Sequence, residues 1–176
     1  MRVVTWNLNG IRAAHRKGLY DFIERIDADV MLFQEVRALP EQMPKDWSEP
    51  EGYDVIWHPA QRKGYSGVMA CSRVGMEEIG RGIDTDLDET RDPEGRVLHT
   101  IHKGMHCVNI YLPNGSANPE RQAYKDQWIE DLMEWAEKFV GSDEPALLCG
   151  DLNIAHTEDD IWAVSYTHLR AHETST

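Results

Sequence analysis

Basic residues are scarce in this sequence: 18 lysines and arginines stand against 31 aspartates and glutamates, for a formal net charge of −13. A chain so charged repels a polyanion at long range, which excludes a general nucleic-acid-coating protein. It leaves open an enzyme whose acidic groups hold a divalent cation that a phosphate then meets. Cysteine is scarce as well, and the three present, Cys71, Cys107 and Cys149, each lie in an apolar stretch. An odd number so placed excludes a disulfide framework and reads as buried thiols in a reducing cytoplasm. No apolar run approaches the roughly 18 residues of a membrane span. Met1-Arg2-Val3-Val4 opens a strand and not a signal peptide. A cytoplasmic, monomeric protein without a membrane partner is therefore expected. Internal repeats and low-complexity tracts are also missing. Against these absences, 176 residues that are 41% hydrophobic and 28% charged suffice for one domain, or for part of a larger one.

Taken in order, Arg2 to Trp6 is a short β-rich run closed by Asn7-Leu8-Asn9-Gly10, a turn signal. Leu19, Phe22, Ile23 and Ile26 fall at helical spacing, so one amphipathic helix is predicted from Ile11 to Ile26. Asp29 to Gln34 reads as a buried strand ended by Glu35. Pro40, Pro44 and Pro50 make the next stretch a loop with at most one short helix. Tyr53 to His58 and Ser66 to Ser72 read as two further strands. The acidic, turn-rich segment Asp84 to Gly95 is expected to be exposed. Val97 to His102 and His106 to Leu112 form a hairpin about Lys103-Gly104. Asn118 is placed to cap a helix that has Pro119 at its first position. Tyr124, Trp128, Leu132, Trp135 and Phe139 mark that helix's core stripe, and Pro145 breaks it. Ala146 to Cys149 then lead into Gly150-Asp151-Leu152-Asn153.

That last stretch carries chemistry. Two residues is the side-chain period of extended backbone, so Asp151 and Asn153 are expected to point one way while Leu152 enters the core. Three other apolar runs end similarly. The first delivers Asn7 and Asn9, the second Glu35, and the third Tyr111 with Asn114 beyond it. In α/β sheets, ligands collect past the strand ends, where loop side chains converge. Glu35 supplies a hard oxygen donor suited to Mg²⁺. Asp151 is able to accept a proton from a water attacking phosphorus. Asn7, Asn153 and Tyr111 are suited to hold phosphoryl oxygens as charge develops.

Several segments now fit one pattern: Trp6-Asn7-Leu8-Asn9-Gly10-Ile11-Arg12-Ala13, Leu32-Phe33-Gln34-Glu35, Gly64-Tyr65-Ser66-Gly67-Val68, Gly95-Arg96-Val97, Tyr111-Leu112-Pro113-Asn114 and Gly150-Asp151-Leu152-Asn153-Ile154-Ala155. Together, and in this order, they resemble the exonuclease III/AP endonuclease family over about Met1 to Trp162. The resemblance implies an α/β fold, part of a four-layer sandwich in which two packed mixed sheets are flanked by helices. It implies Mg²⁺- or Mn²⁺-dependent cleavage of double-stranded DNA 5′ to abasic sites, with 3′→5′ exonuclease or 3′-phosphatase activity beside it. Carried across, Tyr111, Asp151 and Asn153 are the catalytic residues. Asn7, Glu35, Asp151 and Asn153 surround the metal, and Asn9, Arg96 and Asn114 meet the substrate.

The resemblance stops at residue 163. The family continues through further strands and helices to an arginine-isoleucine-aspartate segment and a serine-aspartate-histidine motif, neither of which occurs here. Residues 164 to 176 match nothing in the family and read as an unrelated tail, in which His168 and His172 share helical ligand spacing by chance. The expectation is a nuclease domain lacking its C-terminal half and most of its second sheet. Two alternatives stay open: a non-catalytic fragment that binds metal or DNA, and a small-molecule phosphoesterase of the wider superfamily. Arg12, His15, Arg16 and Lys17, and separately Arg62-Lys63, read as solvated surface. His99, His102 and His106 read as hairpin surface and not as a zinc site, since no cysteine lies near.

Overall fold

The structure, a computed structural model, describes residues 1–83, 92–115 and 118–154. Its elements in chain order are β1 (Val3–Asn7), α1 (Ile11–Arg16), α2 (Leu19–Ile26), β2 (Val30–Gln34), β3 (Asp54–His58), β4 (Val68–Ser72), β5 (Glu77–Arg81), β6 (Val97–His102), β7 (Met105–Tyr111), α3 (Pro119–Ala136) and β8 (Ala146–Asp151). Short 3₁₀ turns occupy Pro40–Gln42 and Glu137–Phe139. No helix among the described residues is long and apolar enough to cross a membrane.

The strands form two four-stranded sheets, ordered β1-β2-β4-β3 and β5-β6-β7-β8. The second sheet is thus well represented, contrary to the expectation that most of it would be missing. Each sheet has one parallel pair, β1 with β2 and β7 with β8, and the remaining pairs are antiparallel. A parallel pair needs a long crossover; α1 and α2 supply it in the first sheet and α3 in the second.

Three apolar clusters define four layers. Met31, Phe33, Met69 and Cys71 pack outward from the first sheet against Ile11, Leu19 and Ile23 of α1 and α2. Val30, Leu32, Val68 and Ala70 face the other way, meeting Leu98, Cys107 and Tyr111 between the sheets. Val97, Val108 and Ile110 face outward from the second sheet onto Leu132, with Trp128, Trp135 and Phe139 packed beside them. Strands covered on both faces read as continuous apolar runs, which is why β2 and β4 are buried at every position. The three cysteines are free; Cys71 and Cys107 are buried and Cys149 is half-buried.

Several expectations are corrected. The helix predicted over Ile11 to Ile26 is two helices, because Gly18 takes a left-handed conformation (φ 92°) and caps α2. Strand β5 carries no apolar alternation and was not foreseen; it is an edge strand with an irregular register at Glu78/Gly80. In the hairpin, Lys103 and Gly104 both have positive φ, the arrangement a two-residue turn demands. Asn118 caps α3 through its side chain, which accepts from Arg121 N at 2.8 Å. Residues after Ala136 continue only as a 3₁₀ turn, so α3 ends well before Pro145. Tyr124 is 41% exposed and leaves the core stripe, with Arg121 4.5 Å over its ring.

His99 and His102 are not hairpin surface. His99 faces outward from its sheet and is buried under Trp135 and Phe139. His102 faces the layer between the sheets, bonded to Thr100 and Ser72. Residues 84–91 of the acidic segment lie outside the described residues, but Asp92 and Gly95 at its end are buried. Asp92 Oδ2 accepts from the backbone of Arg96 and Val97 and from His58. The tail 164–176, with His168 and His172, also lies outside the described residues.

Candidate active site

Register brings the expected residues together. In the first sheet Asn7 pairs with Gln34, which places Glu35 one residue beyond. In the second sheet Tyr111 pairs with Asp151. Both parallel pairs end at the same edge of the sandwich, so four strand ends converge there. Two hydrogen bonds then cross between the sheets. Asn7 Nδ2 donates to Asp151 Oδ2 at 2.6 Å, and the Tyr111 hydroxyl donates to Glu35 Oε1.

The loops hold this arrangement by backbone bonds. Leu8, Gly10 and Ile11 N–H groups donate to the carbonyls of Gln34, Glu35 and Val36. On the other flank Val36 and Arg37 donate to Gly67 and Ser66. The first loop therefore lies against the Glu35 turn, and the Gly64 to Val68 segment against its far side. Glu35 itself has φ 51° and Arg37 φ 53°. A non-glycine residue held there costs about 1–3 kcal/mol and persists where the surroundings over-determine it, as they often do at functional sites.

Beneath the site lies a buried polar brace between the sheets. Gln34 Nε2 donates to Thr5 Oγ1 at 2.9 Å and to Asn109 Oδ1 at 2.7 Å, while Asn109 Nδ2 donates to the carbonyls of Phe33 and Met69. It fixes the strand that delivers Glu35 relative to the strand that delivers Tyr111. Sequence reading passed over Asn109, whose signal was a lone amide inside the apolar run Val108-Asn109-Ile110.

The Asp151–Asn153 corner differs from its expected form. Asp151 still belongs to β8, but Asn153 takes φ 48°, so the two-residue period of extended chain does not apply. The chain turns instead, and Asn153 N donates to Asp151 Oδ1 at 3.0 Å. Asn153 Nδ2 reaches the Leu112 carbonyl at 2.7 Å, and Lys125 of α3 donates to the Asn153 carbonyl at 2.8 Å. Leu152, expected in the core, is 43% exposed. Gly150 is required where it stands: at φ 145° a Cβ would collide with the Ile110 backbone.

Of the expected substrate contacts, Asn9 is exposed beside Asn7, its N–H bonded to Asn7 Oδ1 at 2.8 Å. Asn114 is exposed in the loop after β7. Arg96, by contrast, is 2% exposed. It spans Glu94 Oε2 (2.7 Å), the Tyr111 carbonyl (2.9 Å) and the Tyr65 hydroxyl (3.1 Å), 4.8 Å from the centre of the Tyr111 ring. Arg121 of α3 joins the same Glu94 and Tyr65. Burial alone would raise the Glu94 carboxyl, but the guanidinium groups of Arg121 and Arg96 outweigh it and hold it below its usual range.

Electrostatics assigns Tyr111 a proton. Burial first, then the Glu35 carboxylate, pushes its phenol well above the ordinary value. It therefore serves as a hydrogen-bond donor at neutral pH. Glu35 also pairs with Arg37, Nη2 to Oε2 at 2.8 Å. Arg37 was missed by sequence reading, although it lies two residues from Glu35. Arg12, Arg16 and Arg37 line one cavity with Gly64, so two exposed members of the basic cluster border the site.

The donors around this point are two carboxylates, Glu35 and Asp151, and two amides, Asn7 and Asn153, all hard oxygens. Among the described residues no group of three or more His, Cys, Asp or Glu side chains is arranged to hold a metal ion. Mg²⁺ asks for less, using one or two carboxylates and filling its other positions with water and substrate phosphate. The donor set fits that ion better than one that prefers sulfur or imidazole.

Residues 4–171 match the model of the endonuclease/exonuclease/phosphatase family. An exodeoxyribonuclease of Bacillus subtilis is 35% identical over 162 residues, covering 92% of this chain and 62% of that protein. A DNA-(apurinic or apyrimidinic site) endonuclease of Dictyostelium discoideum is 32% identical, covering 92% of this chain and 44% of the other. Among solved structures, an AP endonuclease from Archaeoglobus fulgidus superposes with a TM-score of 0.78 at 26% identity, over 94% of this chain and 62% of that one. The chain thus spans less than two thirds of the relatives it matches. With four strand ends meeting in the same donor set and a family match over nearly its whole length, this chain belongs to the endonuclease/exonuclease/phosphatase family.

Proposed function

We propose that the chain acts in DNA repair as a Mg²⁺- or Mn²⁺-dependent nuclease that cleaves the phosphodiester 5′ to abasic sites in double-stranded DNA. The observation that carries the reading is the pair of cross-sheet hydrogen bonds, Asn7 to Asp151 and Tyr111 to Glu35, which gathers acid, amide and phenol from four strands. Relatives named exodeoxyribonuclease and AP endonuclease support it, and a 3′→5′ exonuclease or 3′-phosphatase activity fits the same donors. Glu35, with Asn7, Asp151 and Asn153 beside it, would hold the metal, which when bound supplies positive charge to a phosphate oxygen.

The chain's own residues divide the remaining work. Asp151 accepts a proton from the attacking water, its carboxylate aimed by Asn7 and by the Asn153 backbone. Tyr111, whose one proton goes to Glu35 in this structure, would turn it to a phosphoryl oxygen, and Asn153 adds a second donor as charge builds there. Asn9 and Asn114 lie on the open side, where DNA would pass. The protein works as a monomer in the cytoplasm.

A second reading, a non-catalytic metal- or DNA-binding protein, draws on the same bonds. Both carboxylates are already engaged, Glu35 by Tyr111 and Arg37, Asp151 by Asn7 and Asn153. Incubation of the chain with a labelled duplex holding one tetrahydrofuran abasic site separates the two. The nuclease reading expects a nick 5′ to that site, abolished by EDTA and restored by Mg²⁺. Binding of the duplex without any nick would overturn it in favour of the second.

A further inference from the structure

A cavity of about 370 Å³ opens on the outer side of β1, between that strand, α1 and α2. It adjoins the site described above through Asn7 and Asn9. Its lining includes Trp6, Phe22, Lys17, Arg25, Asn7 and Asn9. Side chains alternate along β1, so Trp6 lies on the helix side while Thr5 and Asn7 turn towards the second sheet. Phe22 of α2 backs the indole, ring centres 4.5 Å apart and tilted by 50°. Trp6 nonetheless stays 36% exposed, unusual for so large an apolar ring so near the core.

Lys17 and Arg25 are exposed, and neither has a carboxylate partner among the described residues. In a chain with 31 acids and 18 bases, two unpaired cations at one cavity are a feature to explain. Of the acids of α2, neither Asp21 nor Glu24 lines this cavity, and Glu24 borders a different one. Asn9 adds an exposed amide. An aromatic platform, two cations and an amide are what a single nucleotide needs: a face on which to stack, charge for the phosphate and a hydrogen-bonding group for sugar or base. The volume is at the lower end of the roughly 300–1,000 Å³ of ligand clefts, enough for one nucleotide and too little for a duplex.

We propose that this cavity binds one nucleoside 5′-monophosphate, its base stacked on Trp6 and its phosphate between Lys17 and Arg25, beside the residues that hold the scissile phosphate. The ligand class rests on the nuclease reading, because 3′→5′ exonucleolytic cleavage releases such a nucleotide next to Asn7 and Asn9. Occupancy would hold the leaving nucleotide near the site and give product inhibition.

The test needs no turnover. Deoxyadenosine 5′-monophosphate is titrated into the whole chain in EDTA, following the indole N–H resonance of Trp6, assigned from Trp6→Phe. A saturable shift is expected. Trp6→Ala should weaken binding about ten-fold or more, as loss of base stacking does, and Trp6→Phe should bind within a few-fold of the parent. Lys17→Met with Arg25→Met should weaken the monophosphate but leave deoxyadenosine unchanged. The proposal is overturned if Trp6 shows no saturable shift up to about 10 mM, weaker than any useful affinity. It is equally overturned if inorganic phosphate competes as well as the nucleotide, or if Arg12→Met in the neighbouring cavity abolishes binding while Trp6→Ala does not. Since EDTA removes catalysis, a failed abasic-site assay leaves this outcome standing, and a failed titration leaves the nicking assay standing.

Discussion

Asn7 closes β1 and Asp151 closes β8, and the amide of the first donates to the carboxylate of the second at 2.6 Å across 144 residues of sequence. This bond ties the edge of one sheet to the edge of the other at the point where the proposed chemistry occurs. A hydrogen bond to an ionised acceptor is roughly twice as strong as a neutral one.

Asn7→Ala leaves Asp151 Oδ2 without its donor and removes an amide from the donor set. Loss of one such oriented group costs on the order of 10²–10³ in turnover. The expected outcome is that loss in single-turnover nicking of an abasic duplex, with the urea midpoint nearly unchanged, because the pair is only half-buried. Unaltered turnover would remove Asn7 from the mechanism.

Lys125 donates to the Asn153 carbonyl and steadies a residue held at φ 48°. Lys125→Met should let the turn after Asp151 open. Amide exchange at Asn153 should quicken, and turnover should fall by about ten-fold, equivalent to about 1.4 kcal/mol. Lys125→Arg, which still offers an N–H, should restore both. Equal behaviour of the two variants would mean that Lys125 contributes charge or bulk and not this bond.

Asn109 is fully buried between the sheets and bonds Gln34 and the carbonyls of Phe33 and Met69. Asn109→Ala removes one acceptor of the Gln34 amide and the side-chain donor to the Phe33 and Met69 carbonyls, and leaves a small cavity, so a loss of about 2–4 kcal/mol is expected in urea unfolding. The double change Gln34→Leu with Asn109→Leu should cost less than the single one, since it fills the cavity and removes both buried amides, although the Thr5 hydroxyl and the Phe33 and Met69 carbonyls lose a partner. A single change that costs nothing would show that the brace carries no stability.

The His99 imidazole is held down to about 4, first by burial and then by the nearby His106 and Lys138 charges. Burial lowers His102 as well. Their folded-state values lie below the unfolded one, so the unfolded chain binds more protons between about pH 6.5 and 4. Stability is therefore complete above about pH 6.5 and declines as pH falls through that window, by up to roughly 1.4 kcal/mol per unit from His99, with His102 adding in the same direction. Urea midpoints measured from pH 7.5 to 4.5 should show this slope, and His99→Gln should flatten it in part. A flat profile in the parent chain would contradict the buried neutral imidazole.

Element identity was legible in the sequence wherever the cause was local. β2 and β4 announce themselves as apolar runs, the Lys103-Gly104 turn by its residues, and α3 by the Asn118-Pro119 start. The strand ends that deliver Asn7, Glu35, Tyr111 and Asp151 were legible for the same reason, since each is an apolar run stopped by a polar residue. Strand β5 and the break at Gly18 were not. β5 is an edge strand held by backbone pairing to β6, which needs no pattern of its own. A glycine within a helical spacing reads equally well as a tolerated interior residue.

Side-chain roles divide along the same line. The sequence by itself determined which chemical groups are available: two carboxylates, a phenol and several amides, each at the end of a strand or in the turn after one. Only the tertiary structure decided how they are used, because burial and cross-sheet bonding depend on partners far away in the chain. It buried Arg96 against Tyr111, bonded to that residue's carbonyl, and buried His99 and His102 where a hairpin surface was expected. It gave Asp151 its partner in Asn7, turned Asn153 into a left-handed corner held by Lys125, and left Trp6 facing an open cavity. Local spacing specifies a strand and where it ends; which strand ends meet is fixed by the packing of two sheets.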